Sequence, residues 1–227
     1  LTEVVMTNRG PEIRLSRTSP LFLVKLFEIE VPEIQDGSIE IKAAAREPGF
    51  RAKIAVTTSD KDIDPVGACV GMKGSRVQNV VNELQGEKID IVKWSPDLET
   101  FTRAALAPAE ITSIMINGEE KSEDVIVEED QLSLAIGRRG QNVRLAAMLT
   151  AHKINIVSKT KLQEKVKVAV ENLVQIPGVN DATAQLLVNC GIMSIGDLSG
   201  ATAADLEKLT GSSPTICQDI IDSTLKA

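Results

Sequence analysis

Apolar residues recur along this chain with strand-like and helical periods, and the same succession of periods occurs twice. In each copy the pattern predicts a helix, two strands, a short helix, a Gly-x-x-Gly tetrapeptide, a longer helix and a final strand. The strand before the tetrapeptide lies at residues 51–56 in the first copy and 125–127 in the second. The final strand lies at 88–92 and 153–157. Because such a repeated succession indicates a duplicated folding unit, we expect two tandem α+β repeats of about 70 residues each.

Proline and aspartate mark the starts of several helices. Pro20 opens a helix whose broad apolar face comprises Leu21, Leu23, Val24, Phe27 and Val31. Asp64 and Pro65 supply an N-cap and a first-turn proline for the short helix that ends at Gly71. The tripeptide Ser95-Pro96-Asp97 predicts the same arrangement, a cap followed by a first-turn proline, at the start of the second repeat.

The helices behind the two tetrapeptides differ in their apolar content. In the first repeat, one face carries Val77, Val80, Val81 and Leu84. In the second repeat, Val143 is followed by an unbroken apolar run at 145–149, which leaves few polar positions. We therefore predict that an extra face of this helix packs against the first repeat. The short linker after Trp94 should then hold the two repeats in a fixed orientation.

Turn residues close two hairpins and separate a further pair of strands. Residues 39–46 and 51–57 form the first hairpin, where Glu47-Pro48-Gly49-Phe50 suits a type II turn. Asn117-Gly118 predicts the turn of the second hairpin. Residues 3–6 and 13–16 form another pair of strands, and because two strands are marginal in water, we interpret them as the end of a further domain.

The tetrapeptides suit the binding of a nucleic-acid backbone. Gly71-Met72-Lys73-Gly74 and Gly137-Arg138-Arg139-Gly140 lie 66 positions apart, and each precedes a helix directly. Glycine lets phosphate approach the main chain, and the N-terminus of a helix favours an anion. The KH module of RNA-binding proteins clamps about four nucleotides with such a loop. One Gly-x-x-Gly is weak evidence, but two in matched contexts indicate tandem KH domains.

Charge restricts where such a ligand could bind. The chain has 227 residues and a net charge of −7, so bulk electrostatics would repel nucleic acid and contacts must come from local cations. Acids gather elsewhere, at Glu119, Glu120, Glu123, Asp124 and residues 128–130. The candidate RNA contacts are both loops with neighbouring cationic and polar residues: Gly71, Met72, Lys73, Gly74, Arg76, Gly137, Arg138, Arg139, Gly140, Gln141, Asn142, Arg144, and Arg46, Arg51 and Lys53 on the first hairpin. The alternative is that these cations only form a solvated surface.

Other function classes find little support in the composition. No apolar run has the length of a membrane span and no signal peptide is evident, so we expect a cytoplasmic protein. Cys69, Cys190 and Cys217 are odd in number and lie in apolar surroundings, which predicts buried free thiols. With one histidine, His152, and no CxxC or HxxxH spacing, neither a metal site nor a cofactor is expected.

From Lys161 onward the pattern is purely helical. Apolar residues surround turns at 176–179 and 210–212, which predicts two helix-hairpin-helix units in one all-α domain. The segment has five cations and eight acids, and neither hairpin tip carries lysine or arginine. We therefore favour a protein-binding surface over a DNA-binding one.

Four runs of residues resemble the NusA family of bacterial transcription termination and antitermination factors. They are residues 27–34 (FEIEVPEI), 41–49 (IKAAAREPG), 63–72 (IDPVGACVGM) and 135–146 (AIGRRGQNVRLA). The resemblance covers roughly Val4 to Ser158 and is highly specific because the runs are long. The segment from Lys161 is similar, more loosely, to an acidic helix-hairpin-helix repeat that only some members carry.

The resemblance implies both an architecture and a function. Residues 1–18 would be the end of an OB-fold barrel, 19–94 and 95–160 two type II KH domains, and 161–227 a helix-hairpin-helix domain. The implied function is that of a non-enzymatic elongation factor, a monomer that binds nascent single-stranded RNA and modulates pausing, termination and antitermination by RNA polymerase. Residues 161–227 would bind the polymerase, other elongation or antitermination factors, or the KH region. Met72 departs from the usual polar loop residue, so the first loop should hold phosphate less tightly than the second.

Two other readings can be weighed against this one. An exoribonuclease can also combine KH and OB modules, but no acidic cluster here has metal-site spacing. A helix-hairpin-helix glycosylase would need a catalytic lysine or aspartate just past a hairpin, and Asp181, which follows the first hairpin, has no partnering lysine. The chain could instead be a protein-interaction scaffold with weak or no RNA binding, although Arg138 and Arg139 argue against that. With no tyrosine and four phenylalanines, we expect backbone clamping and an aliphatic groove rather than aromatic stacking to dominate.

Overall fold

The computed structural model describes residues 1–118, 120–176, 178–194 and 196. The chain divides into two compact units, of which the first spans Leu1–Val157 and the second begins at Ser158. Within the described residues, none of the helices combines the length and apolar character needed to cross a membrane.

The first repeat has the predicted order of elements. Its helices and strands are α1 (Pro20–Glu30), α2 (Pro32–Gln35), β3 (Ile39–Glu47), β4 (Arg51–Thr58), α3 (Pro65–Val70), α4 (Ser75–Glu83) and β5 (Lys88–Lys93); β1 (Glu3–Thr7) and β2 (Gly10–Arg14) precede them. In the sheet β4 is central, antiparallel to β3 and parallel to β5. The turn after β3 has the hydrogen bond from Phe50 N to Glu47 O (3.0 Å) and a positive φ at Gly49, as the predicted type II turn requires.

The second repeat has the same order, except that it lacks a counterpart of α2. It comprises α5 (Leu98–Ala105), β6 (Ser113–Asn117), β7 (Ser122–Val127), α6 (Leu132–Ile136), α7 (Gln141–Thr150) and β8 (Lys153–Ser158). The three strands form a second sheet in the order β6-β7-β8. The duplication predicted from the apolar pattern is therefore confirmed, and α2 is an additional short helix that the pattern did not predict.

The hydrophobic cores join the two repeats. One cluster lies within the first repeat around Leu23, Phe27, Ile54 and Val80. The cluster of the second repeat is built on Leu145, Ala146 and Leu149 of α7, and it also includes Ala45, Ala55 and Val92 from the sheet of the first repeat. The prediction that an extra face of this helix packs on the first repeat is confirmed. The repeats thus share buried apolar surface, which favours a fixed geometry between them.

Three local predictions need correction. Leu21 is not part of the buried face of α1 but is 71% exposed, because it lies in the first turn on the side away from Leu23 and Phe27. Pro96 is not the first residue of its helix; α5 begins at Leu98, and Asp97 is the N-cap whose carboxylate accepts from Thr100 N at 2.9 Å. Cys69 is buried as predicted, but Cys190 is exposed.

The terminal segments form the predicted types of element, but the second strand lies earlier than predicted, at Gly10–Arg14 rather than at residues 13–16, because Gly10 and Pro11 pair with Thr7 and Met6. Strands β1 and β2 pair as an antiparallel hairpin on which Val4, Met6 and Ile13 are exposed; its assignment to an OB-fold barrel stays a prediction. In the second unit, α8 (Lys159–Val174) and α9 (Asp181–Asn189) pack around Leu173 and Leu187. Pro177, Ile195 and residues 197–227, which include Cys217 and the second predicted hairpin, lie outside the described residues, as does Glu119.

Candidate nucleic-acid interface

The two Gly-x-x-Gly loops have the same backbone conformation. Gly71 and Gly137 both have φ 74° and ψ 173°. At the third position Lys73 has φ 54° and ψ 26°, and Arg139 has φ 55° and ψ 30°. Each loop closes with a hydrogen bond from the second glycine N–H to the first glycine carbonyl, 3.0 Å in one and 3.1 Å in the other. Two separate stretches of sequence therefore fold to one geometry.

The first glycine of each loop is required for two reasons. Its φ favours glycine, and a Cβ there would also meet the helix behind the loop. At Gly71 that atom would lie 2.7 Å from Arg76 Cγ, and at Gly137 it would lie 2.7 Å from Asn142 Cβ and 2.9 Å from its backbone nitrogen. The loop consequently packs directly on the first turn of α4 or α7.

The second glycine faces open space. A Cβ at Gly74 would meet nothing closer than 4.0 Å, and one at Gly140 would meet nothing within 4 Å. Both glycines are N-caps in the left-handed conformation, and neither helix has a side-chain cap hydrogen bond. No side chain therefore covers the N-terminus of α4 or α7, whose positive end favours an anion, although the first N–H group of each helix, on Ser75 or Gln141, already donates to the loop carbonyl of Met72 or Arg138.

Arg76 and Asn142 occupy equivalent positions, five residues after the first glycine, and both act within the fold. Arg76 donates to Ala68 O at 2.7 Å and to the Glu33 carboxylate at 2.9 Å. Asn142 is buried and donates to Leu134 O at 3.3 Å and Leu106 O at 2.9 Å. Ala68 and Leu134 each lie three residues before a loop, so both side chains tie the short helix to the long one. Asn142 is therefore removed from the candidate RNA contacts because it is buried, and Arg76 is removed because it pairs with Glu33.

Arg46, predicted as an RNA contact on the first hairpin, is in fact buried. Its guanidinium forms a two-pronged pair with Glu87, with distances of 2.7 and 3.0 Å, and donates to the carbonyls of Arg17 and Ser19. The Glu87 carboxylate also accepts from Gly49 N at 2.9 Å. This network joins the hairpin turn to the residue before β5.

Arg51 and Lys53 are likewise engaged by an internal carboxylate. Arg51 donates to both oxygens of Asp90 at 2.8 and 2.9 Å, and the fully buried Lys53 ammonium lies 3.0 Å from Asp90 Oδ2. Burial lowers the pKa of Lys53, whereas the hydrogen bond to Asp90 raises that of Arg51. Burial acts to raise the pKa of Asp90, but its two cationic partners outweigh that effect and lower it. Burial therefore corrects the assignment of Lys53 as an RNA contact, whereas Arg51, whose side chain is 31% exposed, is held by Asp90 and its assignment stays a prediction.

Three of the predicted cations remain exposed at the loops. Lys73, Arg138 and Arg139 point from the tips of the tetrapeptides, and no ion pair involves their side chains among the described residues. Met72, beside Lys73, is 88% exposed. The second loop thus presents two free positive charges and the first presents one, next to an apolar side chain.

Gln141 and Arg144 face the hairpin turn of the first repeat. Gln141 donates to Glu47 Oε2 at 2.8 Å, and Arg144 donates to Glu47 Oε1. The hydrogen bond from Arg144 lowers the pKa of the Glu47 carboxyl. The sequence marks Glu47 only as a turn residue and not as the partner of Gln141 and Arg144, because 94 and 97 positions separate it from them and no local pattern indicates such a pair.

Matches to protein families agree with this geometry. A family model described as a NusA-like first KH domain matches residues 17–94, and one described as a NusA-like second KH domain matches residues 98–164. A model described as a SAM-like helix-hairpin-helix tandem matches residues 170–224. The first two ranges include the two loops described above.

Curated relatives carry one name. Over 164 residues the chain is 58% identical to "Transcription termination/antitermination protein NusA" of Bacillus subtilis (strain 168), covering 72% of this chain and 44% of that protein. Over 216 residues it is 44% identical to the protein of the same name from Rickettsia prowazekii (strain Madrid E), covering 92% of this chain and 43% of that protein. The chain therefore spans less than half the length of these relatives.

Proposed function

The chain belongs to the NusA family through its tandem KH domains, and from that premise we propose that it binds nascent single-stranded RNA through both Gly-x-x-Gly loops. The observation that carries the proposal is the shared loop geometry. Each loop leads into a helix whose N-terminus no side chain caps, and it holds an exposed cation beside that N-terminus, Lys73 in one and Arg139 in the other. Backbone N–H groups and cations together suit phosphate oxygens.

The proposed contact set is smaller than the one predicted from sequence. Lys73, Arg138 and Arg139 neutralise phosphates, and the four glycines allow close approach of the RNA backbone. Because the second loop has two exposed arginines, it contributes more affinity than the first, where Met72 stands in place of a second cation. The net charge of −7 makes binding depend on these few residues rather than on the whole surface.

The test is a fluorescence-anisotropy titration of labelled single-stranded and duplex RNA at several salt concentrations. The variant has Lys73, Arg138 and Arg139 all changed to aspartate. On single strands, each neutralised phosphate contributes roughly 0.7 to the steepness of the plot of log K against log salt. If each of the three cations neutralises one phosphate, the slope for the variant should therefore be less steep than that of the wild type by about 2. Aspartate suits the left-handed conformation at Lys73 and Arg139, so the fold should remain intact.

Lys121 provides a matched control. It too is an exposed lysine with a positive φ, 47°, but it lies in the acidic hairpin between β6 and β7. Lys121→Asp therefore imposes the same change of charge at the same kind of backbone position as Lys73→Asp. Loss of affinity in Lys73→Asp with none in Lys121→Asp supports a local contact, whereas equal losses would indicate a general effect of net charge.

The wider role is also part of the proposal. As a portion of a longer protein, the chain would modulate pausing, termination and antitermination by RNA polymerase, without catalytic activity of its own. We also propose the division into residues 1–18, 19–94, 95–160 and 161–227, with the last segment binding the polymerase or other elongation factors. If the chain binds no RNA but is retained by immobilised RNA polymerase, it is a protein-interaction scaffold instead.

A further inference from the structure

A cavity of about 660 Å³ lies where the two repeats meet, between the turn after β3 and the second Gly-x-x-Gly loop. Its lining consists of Glu47, Phe50, Arg138, Arg139, Gln141 and Arg144. That volume falls within the range of roughly 300–1,000 Å³ typical of small-molecule sites. The cavity exists only because α7 packs on the sheet of the first repeat.

Phe50 places an aromatic ring in this cavity. Its side chain is 70% exposed, although its backbone is fixed by hydrogen bonds from Phe50 N to Glu47 O (3.0 Å) and from Lys88 N to Phe50 O (3.1 Å). A single exposed ring is unremarkable on a protein surface. An exposed ring on a fixed backbone, lining the same cavity as two exposed guanidinium groups, is a combination that suits a base and its phosphate in single-stranded nucleic acid.

The charges of the lining are arranged unevenly. Glu47 is occupied by Arg144 and Gln141, so that part of the wall is close to neutral and its side chains are held in place. Arg138 and Arg139 keep their charges for a ligand. The cavity therefore has a positively charged part formed by the loop and an uncharged part at Phe50.

We propose that this cavity seats one nucleotide of single-stranded RNA, with the base stacked on Phe50 and an adjoining phosphate held by Arg138 and Arg139. The inference rests on the proposed RNA-binding function and adds a base contact to backbone clamping. The low aromatic count does not speak against it, because one ring is sufficient for one base.

The test combines a protein variant with a series of RNAs. A fluorescent single-stranded oligonucleotide that binds the wild type is remade with an abasic nucleotide at each position in turn. One position should weaken binding by roughly 5- to 150-fold, the usual effect of losing one base–aromatic stack. Phe50→Ala should weaken binding of the intact oligonucleotide by a similar factor, and abasic replacement at that position should then have no further effect. Leu21→Ala, which truncates an equally exposed apolar side chain (71%), is the control and should bind like the wild type.

The outcomes separate this inference from the proposed function. If Phe50→Ala binds like the wild type, or if its loss and the abasic loss simply add, the base does not stack on Phe50 and the inference is wrong. In that case, loss of binding in the aspartate variant of Lys73, Arg138 and Arg139 would still support the RNA-binding function. If the wild type binds no single-stranded RNA, both fail. Equal thermal midpoints for Phe50→Ala and the wild type show that the fold is unchanged.

Discussion

Replacing Arg46 with alanine should destabilise the first repeat strongly while leaving the proposed RNA contacts in place. The side chains of Arg46 and Glu87 are only 4% and 1% exposed. Removing the guanidinium leaves the Glu87 carboxylate with Gly49 N–H as its described donor and leaves the carbonyls of Arg17 and Ser19 without this donor. Truncating one partner of a buried ion pair costs about 3–5 kcal/mol, because the other charge remains buried.

Urea unfolding followed by the fluorescence of Trp94, the single tryptophan, measures this effect. With a slope near 2 kcal/mol per molar urea, a loss of about 4 kcal/mol lowers the midpoint by about 2 M. The double variant Arg46→Met with Glu87→Met should be much less destabilised than the sum of the two single variants, because it removes both charges and fills the space. RNA affinity of the folded Arg46→Ala protein should stay near that of the wild type.

Two results would refute this account of Arg46. A midpoint within about 0.3 M of the wild type would mean that the pair contributes little and that Arg46 is free for another role. Alternatively, a selective loss of RNA affinity in a fully folded variant, as large as that of Lys73→Asp, would restore Arg46 as an RNA contact.

Three further outcomes are expected. Burial raises the pKa of Glu123, despite the nearby Thr102 and His152, so the folded state takes up a proton at a higher pH than the unfolded state does. Stability should therefore rise as the pH falls through the folded pKa, which thermal midpoints measured between pH 8 and 5 should show. Glu123→Gln should raise the midpoint at pH 8 and make the midpoint depend less on pH. Gly137→Ala should cost more than Gly140→Ala in urea unfolding. Alanine at Gly140 meets only the strain of the left-handed conformation, about 1–2 kcal/mol, whereas alanine at Gly137 enters a backbone region restricted essentially to glycine and also clashes with Asn142. Equal costs would show that the loop and α7 adjust to the added Cβ. In a Cys217→Ser background, the exposed Cys190 should react quickly with a thiol reagent at pH 8. Cys69 should react only on unfolding, because it is buried and burial raises its pKa to about 11. Two fast-reacting thiols would contradict the burial of Cys69.

Local sequence was enough to predict the repeated order of elements and the position of both loops. Caps, turn residues and apolar periods act over a few residues, so Pro20, Asp64 and the Glu47–Phe50 turn lie where their chemistry indicates. The loops are equally local: two glycines and an open helix end suffice to produce matching dihedral angles in separate places. Even the interface between the repeats left a signal, because α7 has more apolar residues than one face can hold.

The same local reasoning could not tell which cations are free. Arg46, Arg51 and Arg76 resemble Arg138 in sequence, but each meets a carboxylate 39 to 43 positions away and is neutralised there. Asn142 follows the second loop as a polar residue, yet its backbone position points it into the core. The cavity beside Phe50 likewise needs two repeats packed together, with Glu47 and Arg144 brought into contact across 97 positions. Charge pairing and burial depend on distances in space, and folding sets these distances through contacts that no short stretch of sequence contains.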